Sequence, residues 1–246
     1  MILIDAGNSR LKWGHLDDGV LCRQGAAAWT GKTLPEAALQ AWQHQSPRRL
    51  VVANVAGAWF EKALSDWSRQ QRGVLPEFIT PQRKGYGVET CYHEPLRLGV
   101  DRWLALIAAR PSAPVCVVDC GTALTLDFLS ADGRHLGGAI LPGLHLMRDS
   151  LYRRAPGIFS DNPGETEDST AIFGQDTESC ILQGTLHAVA GAIERISAEW
   201  ADAKGPHTKI VTGGDAFVIQ SALKERYHMQ PDLVLRGLQI IATQTR

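Results

Sequence analysis

Cysteine is sparse in this sequence, and long apolar runs are absent. The five cysteines form no C-x-x-C pair, which argues against a zinc site or a redox dithiol. They are Cys22, Cys91, Cys116, Cys120 and Cys180. No apolar run is long enough for a signal peptide or a membrane span, and the first residues are typical of a strand. We therefore expect a cytoplasmic protein with reduced, mostly buried thiols.

An excess of positive charge is also missing. The 246 residues include 25 Lys and Arg against 26 Asp and Glu, which gives a net charge of -1. No basic stripe is interleaved with aromatic residues, so neither nucleic acid nor an anionic membrane is expected as the main partner. With 44% hydrophobic residues the chain can bury a sizeable core, and small-molecule chemistry is the better expectation.

The common nucleotide-binding motifs are missing too, because neither G-x-x-x-x-G-K-[ST] nor G-x-G-x-x-G occurs. The sequence has instead a repeat of an apolar strand that ends in Asp-x-Gly and a small polar residue. The first copy is MILIDAGNS at residues 1–9, and the second is VCVVDCGTA at residues 115–123. The offset is constant, at 114 residues from Asp5 to Asp119 and from Gly7 to Gly121.

A repeat of about half the chain is too long for a solenoid, whose period is roughly 20 to 50 residues. It predicts two similar α/β domains, residues 1–113 and 114–246, that face each other across a cleft. Glycine would let backbone N–H groups approach a phosphate, and each Asp could hold a cation or its water. The alternative for either copy alone is an ordinary strand leading into a tight turn, because Asp, Asn, Gly and Ser are common turn formers.

Hydrophobic periodicity predicts both strands and helices along the chain. The expected strands are 2–4, 11–16, 50–54, 115–119, 124–129, 135–141 and 209–212, and the expected helices are 35–45, 58–70, 104–110 and 178–200. Residues 73–95 and 157–175 are expected to be irregular, since Gly, Pro and polar residues are frequent in them. A turn at residues 213–216 is expected to lead into a final helical region.

Six strings follow one another in the order found in one known family. They are DAGNS at residues 5–9, Tyr92 with Pro95, GVDR at 99–102, DCGTALTLD at 119–127, GGAILPG at 137–143 and TGGDA at 212–216. The chain thereby resembles the type III pantothenate kinases, also called the Bvg accessory factor family; Ser9 keeps a hydroxyl where many members have Thr. The resemblance implies the acetate and sugar kinase, Hsp70 and actin superfamily. Its members have two ribonuclease H-like (actin-like ATPase) domains, with mixed sheets flanked by helices and an ATP cleft between the domains.

The resemblance also implies an activity. Members of that family phosphorylate pantothenate with ATP to give 4'-phosphopantothenate, the first step of coenzyme A biosynthesis. They work as homodimers and need a monovalent cation, K⁺ or NH4⁺, besides the Mg²⁺ that accompanies ATP. Pantothenate, ATP and a second copy of the chain are therefore the implied partners.

Roles for individual residues follow from the same resemblance. The first phosphate loop would comprise Asp5, Ala6, Gly7, Asn8, Ser9, Arg10, Leu11 and Lys12, with Asp5 near the metal–phosphate complex. In the second copy of the repeat, Thr122 would bind the ATP phosphates and Asp119 the potassium ion. Pantothenate would be bound by Tyr92, Gly99, Val100, Asp101 and Arg102, and by Thr177 from the neighbouring subunit.

Three of these assignments have a plain structural alternative. Asp101 would be the general base that takes the proton of the attacking hydroxyl, but an Asp directly before an apolar helix is also a common N-cap. Arg102 could pair bidentately with the carboxylate of pantothenate, or it could be a solvated arginine at a helix start. Lys12 could touch a phosphate, or its ammonium could lie in solvent.

The helix expected at 178–200 contains several small residues, namely Gly184, Ala188, Gly191 and Ala192. Such side chains allow another helix to approach closely, so we expect the homodimer to be built partly on this helix. Burial of the same face within its own domain is the alternative.

Two other functions remain open from the sequence. One is a regulatory ATP-binding protein without turnover, which the name accessory factor suggests, although Asp5 and Asp101 argue against it. The other is a phosphohydrolase on the same scaffold, in which water replaces the alcohol opposite the γ-phosphate. An acceptor site at Tyr92 and Arg102 argues against the hydrolase.

Overall fold

A computed structural model of the chain describes residues 1–29, 31–43, 48–155 and 172–244. The strands are β1 (Ile2–Ala6), β2 (Arg10–Asp17), β3 (Val20–Ala28), β4 (Leu50–Asn54), β5 (Pro76–Phe78), β6 (Lys84–Gly85), β7 (Val88–Glu89), β8 (Val115–Cys120), β9 (Ala123–Leu129), β10 (His135–Pro142), β11 (Thr208–Thr212) and β12 (His228–Met229). The helices are α1 (Glu36–Gln43), α2 (Ala58–Arg72), α3 (Val100–Ala109), α4 (Leu144–Arg154), α5 (Thr177–Lys204), α6 (Ala216–Ala222) and α7 (Leu233–Gln244). Short 3₁₀ helices span Pro95–Arg97 and Arg110–Ser112.

The chain forms two compact units. Unit 1 comprises Met1–Pro111, Gly133–His135 and the stretch that begins at Asp232, and unit 2 comprises Ser112–Asp132 and Leu136–Pro231. Each unit contains one five-stranded sheet with helices packed on it. The expected α/β class with mixed sheets flanked by helices is therefore confirmed.

The two sheets have the same topology. The strand order is β3-β2-β1-β4-β5 in unit 1 and β10-β9-β8-β11-β12 in unit 2. In each, the strand that ends in Asp-x-Gly pairs antiparallel with the next strand and parallel with a later one: β1 with β2 and β4, and β8 with β9 and β11. The repeat seen in the sequence is thus a repeat of sheet architecture.

The central strands are apolar because they are covered on both faces. Ile2, Leu3 and Ile4 of β1 are fully buried, and so are Val115 and Val118 of β8. A strand that is buried on both faces has a continuous run of apolar residues instead of alternating apolar and polar ones. These strands could therefore be predicted from the sequence. The strand ends emerge from this packing at Asp5 and Asp119, which are only partly buried.

The expected division at residues 113 and 114 differs from the compact units at the C-terminus. Helix α7 packs against α3, in unit 1. Gln239 Nε2 donates to the carbonyl of Gly19 at 2.7 Å, and Arg49 Nη1 donates to the carbonyl of Ala242 at 3.1 Å. The assignment of all of 114–246 to one domain is therefore wrong for α7, since the chain returns to the first unit.

Other expectations need smaller corrections. Residues 73–95 are not wholly irregular, because β5, β6 and β7 lie within them, and β3 and α4 were not expected at all. Only Cys116 and Cys120 are buried, so the expectation of mostly buried thiols is wrong; all five cysteines are free. Of the expected loop 157–175, residues 157–171 lie outside the described residues. Within the described part of the chain, no helix is both long and apolar enough to cross a membrane.

Candidate active site

The first Asp-x-Gly copy forms the tip of the β1–β2 hairpin. Gly7 N donates to the carbonyl of Arg10 at 3.0 Å, which closes the turn, and Asp5 lies opposite Lys12 in the antiparallel ladder. Asn8, Ser9 and Arg10 are exposed. Exposed polar side chains at the end of a buried strand can bind an anion while the apolar core beneath them stays covered.

Lys12 extends from this hairpin to the C-terminal segment. Its ammonium lies 3.4 Å from Asp232 Oδ1, and the two side chains are 25% and 31% exposed. The alternative of an ammonium lying free in solvent is therefore wrong, because the charge is paired within unit 1. The partner is 220 residues away along the chain, which hid the pair from sequence analysis.

Trp29 supports the same hairpin tip and was not predicted to contribute. Its indole N–H donates to the carbonyl of Gly7 at 2.7 Å, and its backbone N–H donates to the carbonyl of Ser9 at 3.2 Å. The ring packs edge-on against Trp59 and Phe60. A rigid aromatic residue thus fixes two carbonyls of the tip.

The second copy forms the tip of the β8–β9 hairpin, where turns from two other parts of unit 2 converge. Gly143 N donates to the carbonyl of Thr122 at 3.0 Å, and Asp215 N donates to the carbonyl of Cys120 at 3.0 Å. The strings at 119–127, 137–143 and 212–216 therefore meet around one strand end. Thr122 is exposed at this tip, and Asp119 is partly buried.

Gly213 allows the third string to approach Asp119. Its φ is +98°, and a Cβ there would lie 2.4 Å from the carbonyl oxygen of Cys120 and 2.6 Å from Asp119 Oδ1. Only glycine fits both the left-handed backbone and this spacing. The glycine is thus needed to seat the carboxylate.

Burial raises the pKa of the neighbouring Cys120 thiol, and the carboxylates of Asp119 and Asp215 raise it further. The thiol therefore stays protonated at neutral pH and supplies no thiolate nucleophile or metal ligand beside Asp119.

Each hairpin tip offers one carboxylate to a cation. Mg²⁺ keeps several waters and takes few protein ligands besides substrate phosphates, so one carboxylate such as Asp5 fits it. Among the described residues, no group of three or more His, Cys, Asp or Glu side chains is placed to hold a metal ion. Carboxylate, hydroxyl and carbonyl oxygens at the second tip suit a hard cation.

The residues at 99–102 that were expected to bind pantothenate lie at the start of α3 in unit 1. The helix begins at Val100, four residues earlier than expected, with Gly99 as its N-cap. Asp101 is therefore in the first turn, and the N-cap alternative is wrong. Its Oδ1 accepts a hydrogen bond from Arg102 N at 2.8 Å, and a Cβ on Gly99 would lie 2.5 Å from the same oxygen. The absence of a side chain at Gly99 leaves the space that the Asp101 carboxylate fills.

Arg102 is buried against Tyr92. Only 8% of Arg102 is exposed, Nη1 donates to Tyr92 Oη at 3.0 Å, and its guanidinium carbon lies 5.9 Å from the centre of the Tyr92 ring. The alternative of a solvated arginine is therefore wrong. Four of the expected substrate residues at 99–102 are consecutive, and the fold brings Tyr92 to them.

Thr177 is the first residue of α5 and is exposed, in unit 2. The helix has a capping box, in which Asp176 accepts from Ser179 N at 2.8 Å. Nearby, Tyr152 donates to Glu178 at 2.6 Å, and burial together with that carboxylate raises the pKa of Tyr152 to about 12. Thr177 lies in unit 2, whereas Tyr92 and Arg102 lie in unit 1. Neither unit by itself therefore contains all three of these expected substrate residues.

Comparison with known proteins supplies the family. The family model for type III pantothenate kinase matches residues 1–199. The chain belongs to the type III pantothenate kinase family. A type III pantothenate kinase from Nitrosococcus oceani is 39% identical, with 100% of this chain and 94% of the relative covered. Another from Alkalilimnicola ehrlichii is 34% identical, with 99% and 98% covered.

Solved structures extend the likeness to the fold. A protein from Sinorhizobium meliloti, described as a 2-dehydro-3-deoxygalactonokinase, superposes with a TM-score of 0.60 at 14% identity and covers 99% of this chain and 98% of its own. The chain thus has the actin-like sugar kinase fold. As a member of its family it is an enzyme that phosphorylates pantothenate with ATP in coenzyme A biosynthesis. The regulatory alternative is not favoured.

Proposed function

We propose that this family member binds pantothenate in unit 1, at Tyr92, Gly99, Val100 and Arg102, and that Asp101 is the general base of the reaction. The observation that carries this proposal is the seating of the Asp101 carboxylate. It lies over the N-cap Gly99 and beside Arg102, whose guanidinium is held by Tyr92. A base must lie within hydrogen-bond reach of the hydroxyl it deprotonates, and a substrate carboxylate held by Arg102 would bring that hydroxyl near.

ATP is assigned to the two hairpin tips. In phosphoryl transfer the protein mainly positions groups and stabilises charge, so exposed N–H and hydroxyl groups on turns are the expected machinery. The β1–β2 tip from Asp5 to Lys12 and Thr122 of the β8–β9 tip would bind the phosphates. Mg²⁺ bound with ATP would lie near Asp5, where one carboxylate suffices.

A monovalent cation, K⁺ or NH4⁺, is assigned to Asp119. The support is the seating of this carboxylate, which lies at the end of β8 against the backbone of Gly213. Such a cation, when bound, would offset the negative charge of the ATP phosphates. The five free cysteines agree with a reducing compartment, and we place the enzyme in the cytoplasm.

The active unit is proposed to be a homodimer built partly on α5. Gly184, Ala188 and Gly191 lie on one side of the helix and are exposed, and a Cβ added at either glycine would meet nothing within 4 Å. In this chain the three residues are thus not covered by their own unit. Two-fold symmetry is the commonest form of soluble oligomer and would generate two identical shared sites.

Complementation between two inactive chains tests the shared site. We expect Asp101→Asn and Thr177→Arg each to be inactive alone, and a 1:1 mixture to recover about a quarter of wild-type activity. Half of randomly formed dimers are mixed, and one of their two sites has both functional residues. The measurement is ADP formation after co-refolding or co-expression with distinct tags.

The matched control places both substitutions in one chain and mixes it with the wild type. Its mixed dimers should have no active site, because each site contains one altered residue. If the two single variants fail to complement while mixed dimers are shown to form and Thr177→Arg alone is inactive, Thr177 acts within its own chain or outside the pocket.

A further inference from the structure

The segment that contains Tyr92 runs from β7 to the 3₁₀ helix at Pro95 and has no partner strand over residues 90–94 among the described residues. Backbone carbonyls in such a segment need side-chain donors or water. The guanidinium of Arg83 supplies them. Nη1 donates to the carbonyls of Tyr92 at 2.5 Å and Thr90 at 3.4 Å, and Nη2 donates to the carbonyl of His93.

The same segment is held from its own start. Thr90 N donates to the carbonyl of Arg83 at 3.0 Å, and the Thr90 hydroxyl accepts from Tyr92 N at 3.2 Å. Thr90 is 3% exposed, so this hydroxyl is a fixed anchor. Arg83 and Thr90 thus hold both backbone polar groups of Tyr92, its N–H and its carbonyl.

A second contact fixes the ring of Tyr92. The imidazole of His135 is 1% exposed and stacks on the Tyr92 ring, with centroids 6.0 Å apart and planes 17° from parallel. Gly133 brings His135 there: its φ is +88°, and its carbonyl accepts from Glu89 N at 2.9 Å. A Cβ on Gly133 would lie 2.1 Å from the carbonyl oxygen of Gly87, so only glycine allows this approach.

With its backbone and its ring held, Tyr92 presents its hydroxyl to Arg102 Nη1 at 3.0 Å. We propose that Arg83 is a positioning residue that, together with the His135 ring, holds Tyr92 against Arg102 and thereby sets the affinity for the carboxylate substrate. This inference rests on the proposed function, because it assumes that Tyr92 and Arg102 bind pantothenate. Arg83 touches neither substrate nor reacting atoms; it acts through the segment that it clamps.

Arginine is suited to this role because its planar fork reaches several carbonyls at once, whereas a lysine ammonium is a single point. Without the hydrogen bonds of Arg83, Tyr92 and Arg102 could shift, and substrate binding would weaken equally in the ground state and in the transition state. Weakened uniform binding raises KM and leaves kcat nearly unchanged. A role in phosphate binding would instead change KM for ATP.

The experiment compares Arg83→Gln and Arg83→Lys with a control, Arg69→Gln. Arg69 lies on α2 in the same unit, is 63% exposed and pairs only with Asp66 at 3.7 Å among the described residues. We expect KM for pantothenate to rise about tenfold in Arg83→Gln and less in Arg83→Lys, with kcat and KM for ATP within about twofold of wild type. Arg69→Gln should leave all three constants and the melting temperature unchanged.

A double-mutant cycle with Tyr92→Phe tests whether Arg83 acts through Tyr92. The single Tyr92→Phe change keeps the ring on His135 and removes the hydroxyl that Arg102 meets. If Arg83 works through that hydroxyl, the double variant raises KM by clearly less than the product of the two single effects. A full product would overturn the proposal, as would an equal rise of KM for ATP in Arg83→Gln.

Arg102→Gln separates this inference from the proposed function. If Arg102→Gln and Tyr92→Phe raise KM for pantothenate while folded Arg83→Gln and Arg83→Lys do not, the positioning role is wrong and the substrate site stands. If neither Arg102→Gln nor Tyr92→Phe changes that constant, the proposed substrate site itself is wrong, and the positioning role falls with it.

Discussion

Replacing Asp101 by asparagine is expected to lower kcat by about 10²-fold or more, the scale of general base catalysis. The amide is nearly isosteric, and its oxygen can still accept the hydrogen bond from Arg102 N, so the start of α3 should be preserved. What is lost is the ability to take the proton of the attacking hydroxyl. Steady-state kinetics together with a thermal melt measure the two properties separately.

Gly99→Ala provides a second route to the same carboxylate. The new Cβ would lie 2.5 Å from Asp101 Oδ1, so the carboxylate must move although its chemistry is unchanged. We therefore expect kcat to fall in Gly99→Ala, as we expect for Asp101→Asn. Near wild-type turnover in a folded Asp101→Asn enzyme would assign Asp101 a purely structural role at the helix start.

Removal of the Asp119 carboxylate is expected to have an effect of similar size. We predict that Asp119→Ala lowers kcat by about 10²-fold, as does the loss of one preorganised electrostatic contact in other enzymes, and that it abolishes the response to potassium. In the wild type, activity should depend on K⁺ or NH4⁺. The measurement is a titration of KCl against NaCl at constant ionic strength, for both proteins.

Asp127→Asn is not a suitable control, because Asp127 is buried and its loss would disturb the core of unit 2. Asp132→Asn is better suited, since Asp132 is an exposed turn residue after β9 whose carboxylate accepts from the hydroxyl of Ser130. It should keep the potassium response. Equal wild-type rates in the two salts would refute the assignment of a monovalent cation to Asp119.

Much of the fold could be predicted because the decisive signals are local. A continuous apolar strand followed by Asp-x-Gly fixes a strand and its turn within nine residues, and its recurrence 114 residues later predicts a second, similar sheet. Both sheets indeed share one strand order. The start of α3 was misplaced, because the charged residues Asp101 and Arg102 interrupt the apolar pattern although the helix already begins at Val100, and Gly99 caps it instead of Asp101.

Long-range contacts could not be predicted, since no local pattern encodes them. The pairing of Lys12 with Asp232, and the return of α7 to unit 1, join residues from opposite ends of the chain. The stacking of His135 on Tyr92 depends on residues 133–135, which lie where β9 leads into β10 and yet belong to unit 1. One sequence shows which residues are available for such contacts but not which of them meet.

The assignment of a pantothenate kinase is tested most directly by measuring ADP formation by the purified chain, with ATP, Mg²⁺ and K⁺, in the presence and absence of pantothenate. We expect ADP to form only when pantothenate is present, with one molecule of phosphorylated pantothenate produced for each ADP. A rate that is the same without pantothenate would indicate a phosphohydrolase, and ATP binding without turnover in either mixture would indicate a regulatory protein. Both results would contradict the assignment of a pantothenate kinase site to Tyr92, Asp101 and Arg102.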